Sequence, residues 1–202
     1  LVFEVSDGTT QHLYRLGADG KDLRQLSSGE DTVWEYPQWS PDGSWILAAE
    51  NSTHRMIALR PYGTGLMQPI ETENFASITM RWSPDGHQIV YTSFFERYMN
   101  VHVASVNGGP SARLTNFGDY RNGNALWSPD GTRLAFLSNR DELTEIYQMD
   151  RNGENLERLT KESQVQTLID WSPDGQGIYF IDYLNPMVYL SMDGIYNHAT
   201  IV

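Results

Sequence analysis

Four copies of the pentapeptide Trp-Ser-Pro-Asp-Gly divide the chain into units of nearly equal length. Their tryptophans are separated by 43, 45 and 44 residues, and they are Trp39, Trp82, Trp127 and Trp171. Self-similarity at a fixed period of this size is typical of solenoids, propellers and arrays. We therefore expect the chain to fold as a series of similar units.

The pentapeptide itself predicts a tight turn between two strands. Proline fixes φ near the value needed at the second position of a type I turn, aspartate suits the third, and glycine supplies a left-handed residue before the next strand. The glycines of the four copies are Gly43, Gly86, Gly131 and Gly175. Apolar runs rich in β-formers follow the turns, at 46–49, 89–92, 134–137 and 178–181. Such runs are typical of strands covered on both faces.

One full unit is best read around Trp127. It divides into strand a at 125–127, strand b at 133–138, strand c at 145–149 and strand d at 156–160, with a polar loop at 139–144. Four antiparallel strands in a unit of this length make one blade of a β-propeller. The sequence therefore predicts an all-β propeller of four-stranded blades.

The opening residues align with the unit around Trp127 at a constant offset, so that Leu1 matches Leu134 and Tyr14 matches Tyr147. The chain is therefore expected to begin within a repeat and to belong to a larger ring. We predict a single propeller domain or propeller fragment, with one partial blade and four nearly full ones. The predicted blades, numbered 1 to 5, span about 1–28, 35–70, 78–115, 123–160 and 167–202.

These residues resemble the TolB-like, WD-related propeller family. Its pattern joins Trp-Ser-Pro-Asp-Gly to an apolar strand, Ile-Tyr, a glycine turn and Leu-Thr, and blade 4 completes it with Ile146-Tyr147, Gly153 and Leu159-Thr160. The resemblance implies a noncatalytic protein-binding or scaffolding repeat protein in the periplasm or outside the cell. Similar blades occur in the gating propellers of prolyl-oligopeptidase-like and tricorn-type hydrolases, which is the alternative function. Fold alone does not choose between them.

Composition excludes several classes of function. A net charge of −12 disfavours nucleic acid and anionic membranes and favours a basic partner, and no apolar run is long enough to be a membrane span. Cysteines are absent, and no serine elbow, zinc-protease or phosphate-loop motif occurs. The dispersed histidines are His12, His54, His87, His102 and His198. We therefore expect no enzyme, no metal and no cofactor, and the histidines disfavour a metal-dependent sugar lyase of the oligogalacturonate type.

Propeller connectivity separates two faces. The a-to-b and c-to-d turns lie on one face, which we call the turn face, while the b-to-c and d-to-a connections lie on the opposite loop face. The turn face is uniform, so its aspartates Asp42, Asp85, Asp130 and Asp174 are interpreted as turn residues and its repeated tryptophans as blade packing.

The loop face differs in every blade, and varied loops on a rigid scaffold are the usual place for binding. Its d-to-a connections combine aromatic and charged residues, as interface hot spots do. The alternative is that the acids solubilise the loops while the aromatic rings fold back onto the blades. We predict a partner-binding site around the channel mouth, made of Trp34, Glu35, Tyr36, Phe75, Phe117, Asp119, Tyr120 and Arg121.

Overall fold

The computed structural model contains only β-strands, turns and irregular segments over the residues that it describes. Those residues are 1–28, 33–50, 55–62, 67–70, 75–95, 98–115, 120–161, 165–183, 188–192 and 196–197. Their strands form five antiparallel sheets, one for each predicted blade. The predicted all-β fold with four-stranded blades is confirmed.

The strands follow one another within each sheet in chain order. Blade 1 has three, β1 (Val2–Ser6), β2 (Gln11–Arg15) and β3 (Arg24–Gln25). Blade 2 has β4 (Trp34–Trp39), β5 (Ile46–Glu50), β6 (Arg55–Leu59) and β7 (Met67–Ile70). Blade 3 has β8 (Phe75–Trp82), β9 (Gln88–Phe95), β10 (Tyr98–Ser105) and β11 (Ala112–Arg113). Blade 4 has β12 (Asn122–Trp127), β13 (Arg133–Asp141), β14 (Leu143–Asp150) and β15 (Glu157–Arg158). Blade 5 has β16 (Val165–Trp171), β17 (Gly177–Asp182), β18 (Val188–Ser191) and β19 (Tyr196–Asn197).

Strand a of each full blade ends at the repeated tryptophan, as predicted. The predicted loop at 139–144 is wrong, because β13 continues to Asp141, which pairs with Leu143 of β14. Glu142 closes this hairpin with a φ of 77°. The polar composition of the segment favoured a loop, but these polar residues lie at the end of two long strands where the hairpin turns.

The cores lie between successive sheets. Blade 3 contributes Val90 and Val101 to a cluster that also contains Trp127 and Phe136 of blade 4. Within four blades, strands b and c carry stacked or tilted ring pairs, at Phe3–Tyr14, Tyr91–His102, Phe136–Tyr147 and Tyr179–Tyr189. Blade 2 pairs Ala48 with Ile57 at this position instead. Successive sheets therefore pack face to face and bury these apolar side chains between them.

The described sheets form an open series. No ladder joins blade 1 to blade 5 among the described residues, and Tyr196 of β19 pairs with Leu190 as the outermost strand of blade 5. A ladder between 1–5 and the final strand, which would have contradicted the open arrangement, is not found in this part of the chain. Within the last part of blade 5, at 195–202, the structure describes 196–197.

Candidate functional site

The turn face repeats one arrangement of hydrogen bonds. In blade 4, the Ser128 hydroxyl donates to Asp130 Oδ1 at 2.6 Å, and the same oxygen accepts the Thr132 amide at 3.0 Å. Gly131 has a φ of 69° and donates its amide to the Ser128 carbonyl at 2.8 Å. The hydrogen bond from Ser128, followed by that from the Thr132 amide, lowers the pKa of Asp130 to about 2. Equivalent bonds hold Asp42, Asp85 and Asp174.

Successive turns also contact one another. A Cβ placed on Gly131 would lie 3.5 Å from Cδ of Pro84 in the preceding turn, and Gly86 and Gly175 face Pro41 and Pro129 in the same way at 3.7 Å. Indole nitrogens add a second link between inner strands: Trp82 Nε1 donates to the Gln38 carbonyl at 3.3 Å, and Trp171 Nε1 to the Leu126 carbonyl at 3.4 Å. Through these contacts, repeated residues of the turn face connect blades 3, 4 and 5 to the blade before each of them.

The loop face uses a different hydroxyl clamp between strands c and d. Ser27, Thr115 and Thr160 occupy equivalent positions after strand d in blades 1, 3 and 4. Each hydroxyl accepts an amide of strand c, from Leu13 at 2.9 Å, Val101 at 3.0 Å and Ile146 at 2.9 Å respectively. The side chain that accepts the threonine hydroxyl is Asn100 in blade 3 and Glu145 in blade 4. The clamp therefore keeps its hydroxyl while its partner changes.

In blade 4 the partner is a fully buried carboxylate. Glu145 accepts the Thr160 hydroxyl and binds Arg158 Nη2 at 3.0 Å, while Arg158 Nη1 lies 3.1 Å from Asp141. The Tyr147 hydroxyl donates to Asp141. Burial, followed by this bond, raises the pKa of Tyr147 to about 12, and the same bond is the main cause that lowers the pKa of Asp141. This network stabilises the outer strands of blade 4.

Tyr36 and Tyr120, two of the predicted binding residues, are exposed near the loop face, with exposed fractions of 40% and 42%. Tyr36 lies in a bulge of β4 and donates its amide to Glu4 of blade 1 at 2.6 Å. Arg121 is exposed beside Tyr120 and donates its amide to Asn139 Oδ1 at 2.7 Å. Glu35 is half-buried at the same bulge.

Trp34 does not present the exposed ring that the sequence led us to expect. It is 4% exposed and packs in a cluster with Leu13 of blade 1 and Ile46 of its own blade. It already belongs to β4, so it lies in the ladder and its ring fills the space between two blades. Phe75 begins β8, with only its backbone described, and Phe117 and Asp119 lie outside the described residues.

Two aromatic residues that the predicted site omitted are exposed at the loop-face ends of strands b. Phe94 has an exposed fraction of 43% near the end of β9, and Tyr183 one of 70% directly after β17. Their position at the end of an apolar run is a signal that the sequence contains. The d-to-a connections alone do not show it.

Blades 3 and 4 leave a cleft of about 200 Å³ at their junction. Leu114, Met149 and Leu156 give it apolar walls, and Thr115, Tyr120 and Arg140 contribute polar groups. Gly153 lies at the closest approach of the two blades, where an added Cβ would be 3.3 Å from the Leu114 carbonyl oxygen. Tyr120 is therefore a predicted site residue that borders a cleft between two blades.

The described portion of the chain brings no three histidine, aspartate or glutamate side chains into a metal-binding group. It likewise contains no helix long and apolar enough to cross a membrane.

Two relatives show local and extended similarity. The chain is 29% identical over 175 residues to an uncharacterized protein of Agrobacterium fabrum, in a match that covers 85% of this chain and 59% of that protein. It is 38% identical over 65 residues to tricorn protease homolog 1 of Streptomyces coelicolor, covering 32% of this chain and 6% of that protein. The chain therefore spans about three fifths of the first relative and a small part of the second.

Solved structures share the fold at low sequence identity. TolB from Acinetobacter baumannii superposes with a TM-score of 0.66 at 22% identity, over 93% of this chain and 48% of its own. Puromycin hydrolase gives 0.76 at 15% identity over 98% of this chain and 36% of its own. Oligogalacturonate lyase in complex with manganese gives 0.75 at 13% identity, over 96% and 59%. These likenesses concern the fold alone.

The family assignment comes from the sequence itself. The family model for the TolB beta propeller domain matches residues 65–185, which is more than half of the chain. The matched range covers the second, third and fourth pentapeptides, at 82–86, 127–131 and 171–175. The chain therefore belongs to the TolB beta-propeller domain family.

Proposed function

We propose that this propeller is a noncatalytic scaffold that binds a protein or peptide partner through its loop face, in the periplasm or outside the cell. Family membership and the two chemically different faces support the proposal. The observation that carries it is Tyr36, an exposed aromatic residue held in an unfavourable backbone conformation.

The strain at Tyr36 is visible by comparison within the repeat. Tyr36 and Asn124 both lie three residues before a repeated tryptophan, and both have left-handed φ values, 57° and 50°. Asparagine tolerates this region, and Asn124 uses its amide to bond Thr167 of blade 5 at 2.8 Å. Tyrosine is disfavoured there, and the following Pro37 disfavours it further.

An outlier of this kind costs on the order of 1–3 kcal/mol and concentrates at functional sites. The part of the chain that the structure describes offers the Tyr36 hydroxyl no hydrogen-bond partner. A ring that stays exposed despite such a cost suits an aromatic contact residue, since tyrosine is enriched at interface hot spots. Glu4 and Glu35 beside it give the surface the acidity that favours a basic partner.

The test compares matched tyrosines on opposite faces. Tyr36→Ala and Tyr120→Ala are expected to reduce capture of partners from a cell-envelope extract. Tyr62→Ala is the control, because Tyr62 is 69% exposed at the end of strand c on the turn face. Far-UV circular dichroism establishes that each variant is folded. Loss of capture only in Tyr62→Ala would show that the partner binds the turn face and would contradict the proposal.

The alternative function is that of a substrate-gating or accessory propeller attached to a hydrolase. The local identity with the tricorn protease homolog and the superposition on puromycin hydrolase favour it. Fluorogenic aminopeptidase and endopeptidase substrates, offered to the full-length gene product, test this function. Hydrolysis that depends on residues outside this propeller would support gating over a scaffold.

A further inference from the structure

The cleft between blades 3 and 4 has the size of one side chain. Its volume of about 200 Å³ lies below the roughly 300–1,000 Å³ that is usual for small-molecule sites. Leu114 comes from blade 3, whereas Met149 and Leu156 come from blade 4, so the apolar walls face each other across the junction. Leu156 and Tyr120, with exposed fractions of 48% and 42%, form an open rim. The space suits an apolar group that enters from solvent.

Arg140 places a positive charge in this apolar cleft. Its guanidinium lies 4.7 Å from the Tyr147 ring centre and 5.7 Å from that of Phe136. Nε donates to Ser138 Oγ and Nη2 to Asn122 Oδ1, both at 3.0 Å. All these partners are neutral, so they orient the guanidinium without cancelling its charge.

The acidic side chains nearby form their ion pairs with Arg158, and the charge of Arg140 also contributes to the lowered pKa of Asp141. Asp141 and Glu145 are both bound by Arg158, at 3.1 and 3.0 Å. Among the described residues, Arg140 has no ion-pair partner. A guanidinium that is oriented in advance and still has free donors binds carboxylates strongly, because its planar geometry matches the two oxygens.

We propose that this cleft binds the C-terminal residue of a peptide partner, with the α-carboxylate on Arg140 and a leucine-sized side chain between Leu114, Met149 and Leu156. This inference rests on the proposed peptide-binding function and names the chemical group that is recognised. The junction beside the cleft requires glycine at position 153. Any side chain there would approach Leu114, and the φ of Gly153 is 88°, in the left-handed region. Tyr120 would cover the bound residue from the rim.

The experiment uses fluorescence anisotropy with the full chain and an N-terminally labelled pentapeptide that ends in leucine. The free-acid peptide is expected to bind, and the C-terminal amide to bind at least about tenfold more weakly, because a charge-assisted bond is lost. Arg140→Gln should weaken binding of the free-acid peptide by a similar factor, and Arg140→Lys should weaken it by less. The matched control Arg24→Gln removes the same charge from an exposed position in β3 and should change binding less than about twofold.

A second variant guards against misfolding of Arg140→Gln, since Arg140 also braces Asn122. Leu156→Glu alters an exposed residue and places a carboxylate at the rim. Because this carboxylate repels that of the peptide, binding of the free-acid peptide should also weaken at least about tenfold. Equal binding of acid and amide peptides, absence of binding up to about 1 mM, or free leucine competing as well as the peptide would each overturn the proposal.

Failure of this inference can be distinguished from failure of the proposed function. If Arg140→Gln and Leu156→Glu retain an envelope partner that Tyr36→Ala loses, the cleft proposal is overturned and the scaffold function stands. If the peptide binds as expected and displaces the partner, both are supported.

Discussion

The turn face and the loop face both use a hydroxyl group that bonds the backbone, but they treat its neighbours differently. On the turn face, the serine hydroxyl always meets an aspartate in a tight turn, as in Ser128 and Asp130. On the loop face, the threonine hydroxyl meets Asn100 in blade 3 and Glu145 in blade 4. The turn face repeats both the hydroxyl and its acidic partner, whereas the loop face repeats only the hydrogen bond between the hydroxyl and the amide of strand c.

This difference extends to the contacts between blades. Contacts between successive turns, such as that of Gly131 with Pro84, depend on an identical shape in every blade. On the loop face, isolated parallel bridges join Gln11 to Val33 and Met99 to Arg121. The rings exposed near this face differ from blade to blade; they are those of Tyr36, Phe94, Tyr120 and Tyr183. A repeat protein can therefore vary one face while the other preserves the spacing between blades.

The largest expected effect concerns the loop-face clamp of blade 4. Thr160→Val removes the hydroxyl that the buried Glu145 accepts and leaves the Ile146 amide without its acceptor. We expect a loss of about 2–4 kcal/mol in the free energy of unfolding. The matched Thr115→Val faces the neutral Asn100 and should cost about 1–2 kcal/mol. Urea denaturation of both variants measures the difference, and equal losses would show that the charge of Glu145 contributes little.

The next effect concerns the turn face. Gly131→Val forces a β-branched residue to a φ of 69° and should lower the free energy of unfolding by roughly 1–3 kcal/mol. Gly131→Asn is the matched control, because asparagine tolerates left-handed backbone, and it should cost less than half as much. Thermal and urea unfolding test both changes. A loss of only a few tenths of a kcal/mol in the free energy of unfolding of Gly131→Val would contradict the proposed turn.

A smaller effect of opposite sign is expected at Tyr36. Tyr36→Asn should raise the free energy of unfolding by about 0.5–1 kcal/mol, because it relieves the left-handed strain, while partner capture falls. Tyr120→Asn is the control, since Tyr120 does not have a positive φ. Stabilisation at both positions would mean that solvent exposure, and not backbone strain, is the cause.

The smallest effect is the acid sensitivity of a turn. Asp130 has its pKa lowered from the usual 3.8 to about 2, so its contribution to stability is present above about pH 4 and is lost as pH falls towards 2. Because this carboxylate is exposed, we expect the loss to stay below about 1 kcal/mol. Asp130→Asn should show a smaller decrease in stability between pH 5 and pH 3 than the unmodified chain, measured by urea denaturation. An unchanged decrease would assign the acid sensitivity to other groups.

Much of the architecture follows from residues that are close in sequence. Proline, aspartate and glycine act within five residues, so the four turns and the ends of strands a at Trp39, Trp82, Trp127 and Trp171 could be predicted directly. The period then determined the number of sheets. The sequence did not predict the tight hairpin at Glu142, because polar residues at the solvent-exposed end of two paired strands have the same composition as a loop.

The candidate site depends on contacts between blades, which no local pattern contains. Trp34 is buried because Leu13 of another blade packs in the same cluster, so its position before a repeat tryptophan did not reveal its environment. Arg140 is oriented by Asn122, 18 residues away, and the cleft exists only where Leu114 and Gly153 approach each other. Sequence alone determined the repeating frame through local backbone preferences. The tertiary structure decided which side chains are buried and which face solvent, since burial is set by the neighbouring sheet.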